Sequence, residues 1–199
     1  MKSYRQWLPP DSYEARASIG GSFVSSNVED YYLTPWDLGY GPHVKFDHDF
    51  IGREALEQRA KGTHRTKVTL ALNTDDVMRV IGSQYQRDHR AKFMEFPSAV
   101  YSMHPYDKVT KSGKTIGIST WVGYSANEGQ SLTLAILDSA HATIGSEVTF
   151  VWGEENGGTT KPTVERHEQV EIRAIVSPVP YSEVARTEYA AGWRTAATR

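Results

Sequence analysis

The sequence predicts a mainly β protein with flanking helices (α+β), in which a C-terminal antiparallel β-barrel follows an irregular lead-in segment and a short helix. Three observations carry this expectation. Short runs at 66–72, 132–137, 147–152 and 170–176 alternate apolar and polar residues, or nearly so. The turns between such runs are marked by glycine, as the short strands of a closed or nearly closed antiparallel barrel require. The first forty residues are broken by Pro9, Pro10, Gly20, Gly21, Pro35, Gly39, Gly41 and Pro42, yet they carry Trp7, Tyr13, Phe23, Tyr31, Tyr32, Trp36 and Tyr40. Disordered linkers lack such aromatics, so this segment needs a surface to lie against. That surface belongs to another part of the molecule, to a second copy, or to a part outside this chain. Its exposed rings are expected to drive self-association of the isolated chain.

Each element has its own local reason. Residues 49–62 read as one amphipathic helix, with Gly52 as N-cap, Glu54 at the positive end, Arg59 and Lys61 at the negative end, and Gly62 where a left-handed C-terminal residue belongs. Ala55, Leu56 and Ala60 give it a narrow apolar stripe. The strand 66–72 turns Val68, Leu70 and Leu72 to one face. A second short helix is capped by Thr74, with Asp75 and Asp76 in its first turn and Val77, Val80 and Ile81 on one side. Residues 109–118 form a hairpin turning at Ser112-Gly113, and 153–158 a polar loop at the tip of another. From Ser182 a last helix runs through Val184, Ala185 and Tyr189 and frays at Gly192. The chain thus divides into a lead-in and linker helix (1–62), a barrel domain (63–182) and a C-terminal helix or tail (183–199).

Composition excludes several function classes. Twenty-two basic against 24 acidic residues give a net charge of −2, without the basic excess that neutralises nucleic-acid phosphates. With no cysteine, thiolate catalysis, Cys-ligated metal centres and disulfides are excluded. No run approaches the roughly 20 apolar residues of a membrane span, and the polar start is unlike a signal peptide, so a soluble, cytoplasmic protein is expected.

The polar clusters are weaker signals. Asp47-His48-Asp49, with His43 nearby, offers metal-ligand types, but neighbours in an extended segment point to opposite faces, so at most two share an ion. The group reads instead as a solvated turn between a strand at 44–46 and the following helix, and no metal ligand is assigned. His141, after Asp138, and His167, between Arg166 and Glu168, have no serine in a Gly-x-Ser-x-Gly context. Gly20-Gly21 lacks the spacing of a phosphate loop. Residues 119–128, read as a join between two barrel strands, combine Trp121 and Tyr124 with hydroxyls, the Asn127 amide and the Glu128 carboxylate. Such a mixture suits a flat heteroaromatic ligand; the same residues also suit a core Trp and Tyr followed by a polar turn.

The run Thr34-Pro35-Trp36-Asp37-Leu38-Gly39-Tyr40-Gly41-Pro42-His43-Val44-Lys45-Phe46-Asp47-His48-Asp49-Phe50-Ile51-Gly52-Arg53-Glu54-Ala55-Leu56 resembles the aminomethyltransferase (glycine cleavage T-protein) family. Gly113-Lys114-Thr115-Ile116-Gly117, Ser119-Thr120, Leu134-Ala135, Gly145-Ser146-Glu147-Val148 and Pro178-Val179-Pro180-Tyr181 follow the order of that family's C-terminal barrel. The segments 31–41, 121–128 and 161–167 look closest to its tetrahydrofolate-dependent O-demethylases of vanillate and syringate type. The resemblance implies a C-terminal part of a longer enzyme that moves a methyl group from an aryl methyl ether to tetrahydrofolate, inactive alone. Its folate-binding domains and catalytic acid are implied to lie upstream, so no residue of this chain is assigned as catalytic. A family arginine that helps hold folate aligns with Ala17, beside Arg16. Trp36, Tyr40, Trp121, Tyr124 and Asn127 are the candidate walls of a pocket for folate and a small aromatic substrate. The alternatives are a non-catalytic folate- or aromatic-binding module, or a subunit that completes a site with a separate N-terminal chain; a homo-oligomer is the other expected association. Neither nucleic acid nor membrane is expected as a partner.

Overall fold

The structure is a computed structural model, and it describes residues 19–99, 101–102, 104–158 and 164–189. Trp7, Tyr13, Arg16, Ala17, Lys161 to Thr163 and Gly192 lie outside the described residues. A two-residue strand β1 (Ile19–Gly20) opens the described chain, followed by 3-10 turns at Val28–Tyr31 and Gly41–His43 and by helix α1 (Arg53–Ala60). Then come β2 (Thr66–Leu72), α2 (Thr74–Ser83), β3 (His104–Pro105), β4 (Asp107–Lys111), β5 (Lys114–Ser125), β6 (Gln130–Leu137), β7 (Glu147–Trp152), β8 (Val170–Ser177) and α3 (Glu183–Thr187). Six strands close into an antiparallel barrel in the order β2-β6-β5-β4-β7-β8, with β8 returning to β2. β1 pairs in parallel with β3 outside it.

The barrel closes because every strand brings apolar residues inward at a period of two. Val68, Leu70 and Leu72 of β2, Val109 of β4, Phe150 and Trp152 of β7, and Ile172, Ala174 and Val176 of β8 are all buried in one cluster. The β4–β5 turn follows from its sequence. Ser112 (φ 51°) and Gly113 (φ 76°) are both left-handed, the backbone that a tight two-residue hairpin matching strand twist demands. Gly117 is required by proximity, since a Cβ there would lie 2.3 Å from the Ile136 carbonyl oxygen across the β5–β6 pair.

Several local expectations are corrected. α2 is capped by Asn73, whose side chain accepts from the Asp76 N–H at 3.0 Å, and Thr74 is already inside the helix. Val77 and Val80 face the core, while Ile81 is partly exposed. α1 is shorter than 49–62 and buries none of its residues. Its end needs no left-handed Gly62, because Lys61 and Gly62 N–H groups bond back to the Gln58 and Arg59 carbonyls in tight 3-10 fashion. Residues 44–46 are not a strand; the Val44 N–H is taken by Gly41 O, closing a 3-10 turn. Residues 119–125 are not a connection but the second half of the long β5, with a register shift between Ser119 and Trp121.

The described lead-in lies against the barrel's own chain. Phe23, Tyr31 and Tyr106 stack edge to face at 5.2 and 5.6 Å, and Tyr31 is buried. Phe23 N–H donates to Tyr106 O, and Tyr106 N–H to Gly20 O. Among the described residues no helix is long and apolar enough to cross a membrane.

Candidate functional site

Where the lead-in meets the barrel, the structure buries a set of charged side chains that sequence reasoning missed. Lys92, on the connector after α2, is 1% exposed; its Nζ lies 3.0 Å from Glu154 Oε1 and 2.9 Å from the centre of the Tyr101 ring. The Trp152 indole flanks the same ammonium, and its N–H donates to Lys92 O at 2.8 Å. Tyr101 donates its hydroxyl to Asp107 Oδ2 at 2.5 Å. The two carboxylates then reach the lead-in: Gly21 N–H donates to Glu154 Oε1 at 3.1 Å, and Ser22 N–H to Asp107 Oδ1 at 3.0 Å. The Ser22 hydroxyl donates to Val151 O and accepts from Lys108 N–H. Gly21 has φ +103°, and a Cβ there would sit 2.3 Å from Tyr106 O, so only glycine lets the backbone come this close.

His167 completes the set. Its Nδ1 lies 2.8 Å from Glu165 O, and its Nε2 lies 2.8 Å from the Glu154 backbone N and 3.2 Å from Glu154 Oε2. A neutral ring protonated on Nδ1 satisfies Glu165 O and the Glu154 N–H together and leaves the buried Oε2 without a donor. The imidazolium gives Oε2 its donor at the expense of that N–H. Burial pushes Asp107 up to about 6, against the opposing pull of Lys92, Tyr101 and the Ser22 N–H. Burial also works to raise Glu154, but His167, Lys92 and the Gly21 N–H together hold it well below the usual carboxylate range. Burial lowers Lys92, and the two carboxylates resist it. Closed to solvent and internally paired, the cluster is built to fix backbone: it fastens residues 21–22 to the ends of β4 and β7.

A partial signal for these residues exists in the sequence. Asp107 shares the inward parity of Val109 and so is a carboxylate on an apolar face, whereas Glu154 follows the end of β7 and the left-handed Gly153 (φ +96°), where strand alternation no longer applies. Lys92 has no such mark.

The residues singled out from the sequence fall into two groups. Trp36 stacks on His64 at 4.7 Å and lies over Gly41, and the exposed Tyr40 tilts against His43. Beside them Asp37, buried, accepts from Thr34 N–H and Arg65 N–H at 2.8 and 3.0 Å. Burial would raise its pKa; the Thr34 hydrogen bonds and the Arg65 charge outweigh that and lower it. An open polar cavity of about 400 Å³ lies here, lined by Tyr32, Thr34, Asp37, Arg59, His64 and Arg65 among others. Trp121 and Tyr124 sit elsewhere, on β5, with Asn127 in the turn that follows. Thr66 of β2, next to the first group, pairs with Leu137, which pairs with Gly117; Tyr124 is seven residues further along β5. At ~3.3 Å per residue that is roughly 23 Å. The structure therefore places the two groups toward opposite ends of the barrel wall.

No family model matches the chain. The chain is 62% identical to syringate O-demethylase of Sphingobium sp. (strain NBRC 103272 / SYK-6) over 192 residues, which are 96% of the chain and 42% of that protein. This chain is a homologue of part of a syringate O-demethylase. It is also 34% identical to sesamin methylene transferase of Sinomonas sp. (strain No.22), over 94% of the chain and 41% of that protein. It spans about two fifths of the length of the curated relatives it matches. The barrel, the described lead-in and the buried cluster all fall within the portion this chain shares with the O-demethylase.

Proposed function

We propose that the chain supplies part of an O-demethylase that moves the methyl group of an aromatic methyl ether such as syringate to tetrahydrofolate. The observation that carries this is the 62% identity to syringate O-demethylase over nearly the whole chain. The resemblance of residues 34–56 to the aminomethyltransferase family supports tetrahydrofolate as the acceptor. In the reaction the ether C–O bond breaks and a bond forms between the methyl carbon and folate N5, while N5 gives up its proton and the departing phenolate takes one up, so that a phenol and methyltetrahydrofolate result. Rate then depends on aligning nitrogen, carbon and oxygen in a dry pocket with an acid beside the leaving oxygen.

In this reading the chain contributes walls and rigidity. Trp36 and Tyr40 on the lead-in, and Trp121, Tyr124 and Asn127 at the other end of the wall, serve one pocket only if the remainder of a longer enzyme bridges them. The buried Lys92 cluster holds the lead-in in place for that purpose. That the chain matches two fifths of its relatives favours a segment or subunit completing a site over a free-standing binding module. The test is a chimera in which this chain replaces the matching portion of the Sphingobium enzyme. It is expected to convert syringate and tetrahydrofolate to the demethylated phenol and methyltetrahydrofolate. A soluble, folded chimera without turnover, beside an active parent, refutes the reading. Calorimetric titration of the chain alone with tetrahydrofolate checks the module alternative, which requires micromolar affinity.

A further inference from the structure

We propose that the cavity between the connector after α2 and the chain leading into β8 binds a small polyanion, a molecule carrying two or more carboxylate or phosphate groups. It lies apart from the pocket walls named above and does not depend on the methyl-transfer reading. The cavity measures about 470 Å³, opens to solvent, and is lined by Arg87, Arg90 and Arg166 among others. That volume is in the range of small-molecule sites.

The pairing of charges singles this cavity out. Asp88, Glu165 and Glu168 also line it, yet among the described residues none of the three arginines forms an ion pair with a carboxylate. Two of the carboxylates are engaged elsewhere: His89 Nδ1 lies 2.5 Å from Glu168 Oε1, and Phe93 N–H donates to Glu165 Oε1 at 2.6 Å. The hydrogen bond and charge of Glu168 raise the pKa of His89, which favours the ion pair and keeps this carboxylate from the arginines. Arg90 Nη2 donates to Arg87 O at 3.3 Å, and the cavity's guanidinium groups are otherwise uncommitted among the described residues. Each guanidinium is a planar fork of donors that fits a carboxylate or phosphate two bonds at a time, so three around one space match a ligand with more than one anionic group. The cavity beside Trp36 lacks this signature, because its Arg65 is committed to Asp37 and to Tyr32 O.

The backbone that presents the arginines is fixed by the protein itself. Glu168 N–H donates to Arg90 O at 2.7 Å, and Ala91 bridges Glu168 in parallel. Gln84 Nε2 donates to Ala91 O at 2.7 Å, and Ala91 N–H to Ser83 Oγ at 3.0 Å. His89, at φ 60°, turns the chain between Arg87 and Arg90. On the other wall His167 is buried and held by Glu165 O and the Glu154 N–H, which fixes the segment that carries the exposed Arg166. Holding like charges together in advance lowers the ordering cost of binding, and an anion among them relieves their repulsion. The carboxylates on the same rim would repel a long phosphate backbone, which limits the ligand to one that sits among the arginines.

Calorimetric titration of the full chain at low salt, with citrate and separately with tripolyphosphate, tests this. At least one is expected to bind with a Kd below ~1 mM. Binding of citrate alone marks a carboxylate ligand, of tripolyphosphate alone a phosphate ligand, and of both the chemistry they share; binding of neither up to ~10 mM overturns the proposal. Arg87→Gln/Arg166→Gln is expected to weaken binding at least ~tenfold, whereas Lys111→Gln/Lys114→Gln, which removes the same charge at the β4–β5 turn, is expected to change it less than ~twofold. Equal weakening by the two variants assigns binding to general surface charge and overturns the site, as does undiminished binding by the arginine variant. Wild-type nitrogen-15 spectra give a readout that needs no variant. The side-chain Nε–H signals of Arg87, Arg90 and Arg166 are expected to shift on adding the bound probe, and shifts confined to other arginines overturn the assignment.

Discussion

Replacing Lys92 by methionine removes a buried cation while keeping its length. The new side chain still fills the space between Tyr101 and Trp152, and its sulfur suits both rings. What is lost is the charge between Glu154, 3.0 Å away, and Asp107. Taking one partner from a buried pair typically costs about 3–5 kcal/mol, because the remaining charge has neither water nor counter-ion. Part of this cost depends on pH. Asp107 titrates at about 6 in the folded protein, so its share disappears at pH 5, where the carboxyl is already protonated. Urea unfolding of Lys92→Met is therefore expected to show a loss of about 3–5 kcal/mol at pH 8 and a smaller one at pH 5, with the m-value unchanged. Lys92→Met/Glu154→Gln is expected to recover more than half of the loss, since the pair is then replaced by neutral groups. A Lys92→Met stability within about 1 kcal/mol of wild type at pH 8 would refute the assignment of this lysine as the counter-charge of two buried carboxylates.

The wild-type pH profile follows from the same groups. Asp107 is raised from 3.8 to about 6, so the fold favours its acid form; its contribution is full below pH 3.8 and about 3 kcal/mol is lost as pH rises through 6. Glu154 and Asp76 are depressed, so their contributions are present above their unfolded values and lost as pH falls. Stability is expected to peak near pH 5, and Asp107→Asn to flatten the alkaline side; an unchanged slope between pH 5 and 7 in that variant contradicts the assignment. Gly21→Ala forces a Cβ against Tyr106 O at a left-handed φ, so proteolysis of residues 19–40 is expected to accelerate well before the barrel melts. Equal cleavage rates in wild type and variant argue that the lead-in is not fastened there.

The alternating runs were enough to specify the barrel strands, because burial on one face of a strand leaves a period of two in the residues themselves. The Ser112-Gly113 turn was equally legible, since its backbone admits few residue pairs. The helix ends were less so. Asn73 and Thr74 are both good caps, and only the hydrogen bond to the Asp76 N–H separates them. Trp121 and Tyr124 read as a connection because a bulge after Ser119 interrupts the alternation and hides the continuity of β5. The resemblance to the aminomethyltransferase family was carried by the run 34–56, and that to its O-demethylases by 31–41, 121–128 and 161–167; neither needed coordinates. The Lys92, Tyr101, Asp107, Glu154 and His167 cluster is a different kind of fact. Its members come from separate stretches of chain, and each alone is an ordinary polar residue. Only closure of the barrel, which removes water from their common space, makes them one charged unit. The sequence by itself determined the strands, the tight turn and the kinship; the tertiary structure decided which charges are buried together and which aromatic rings are left facing outward.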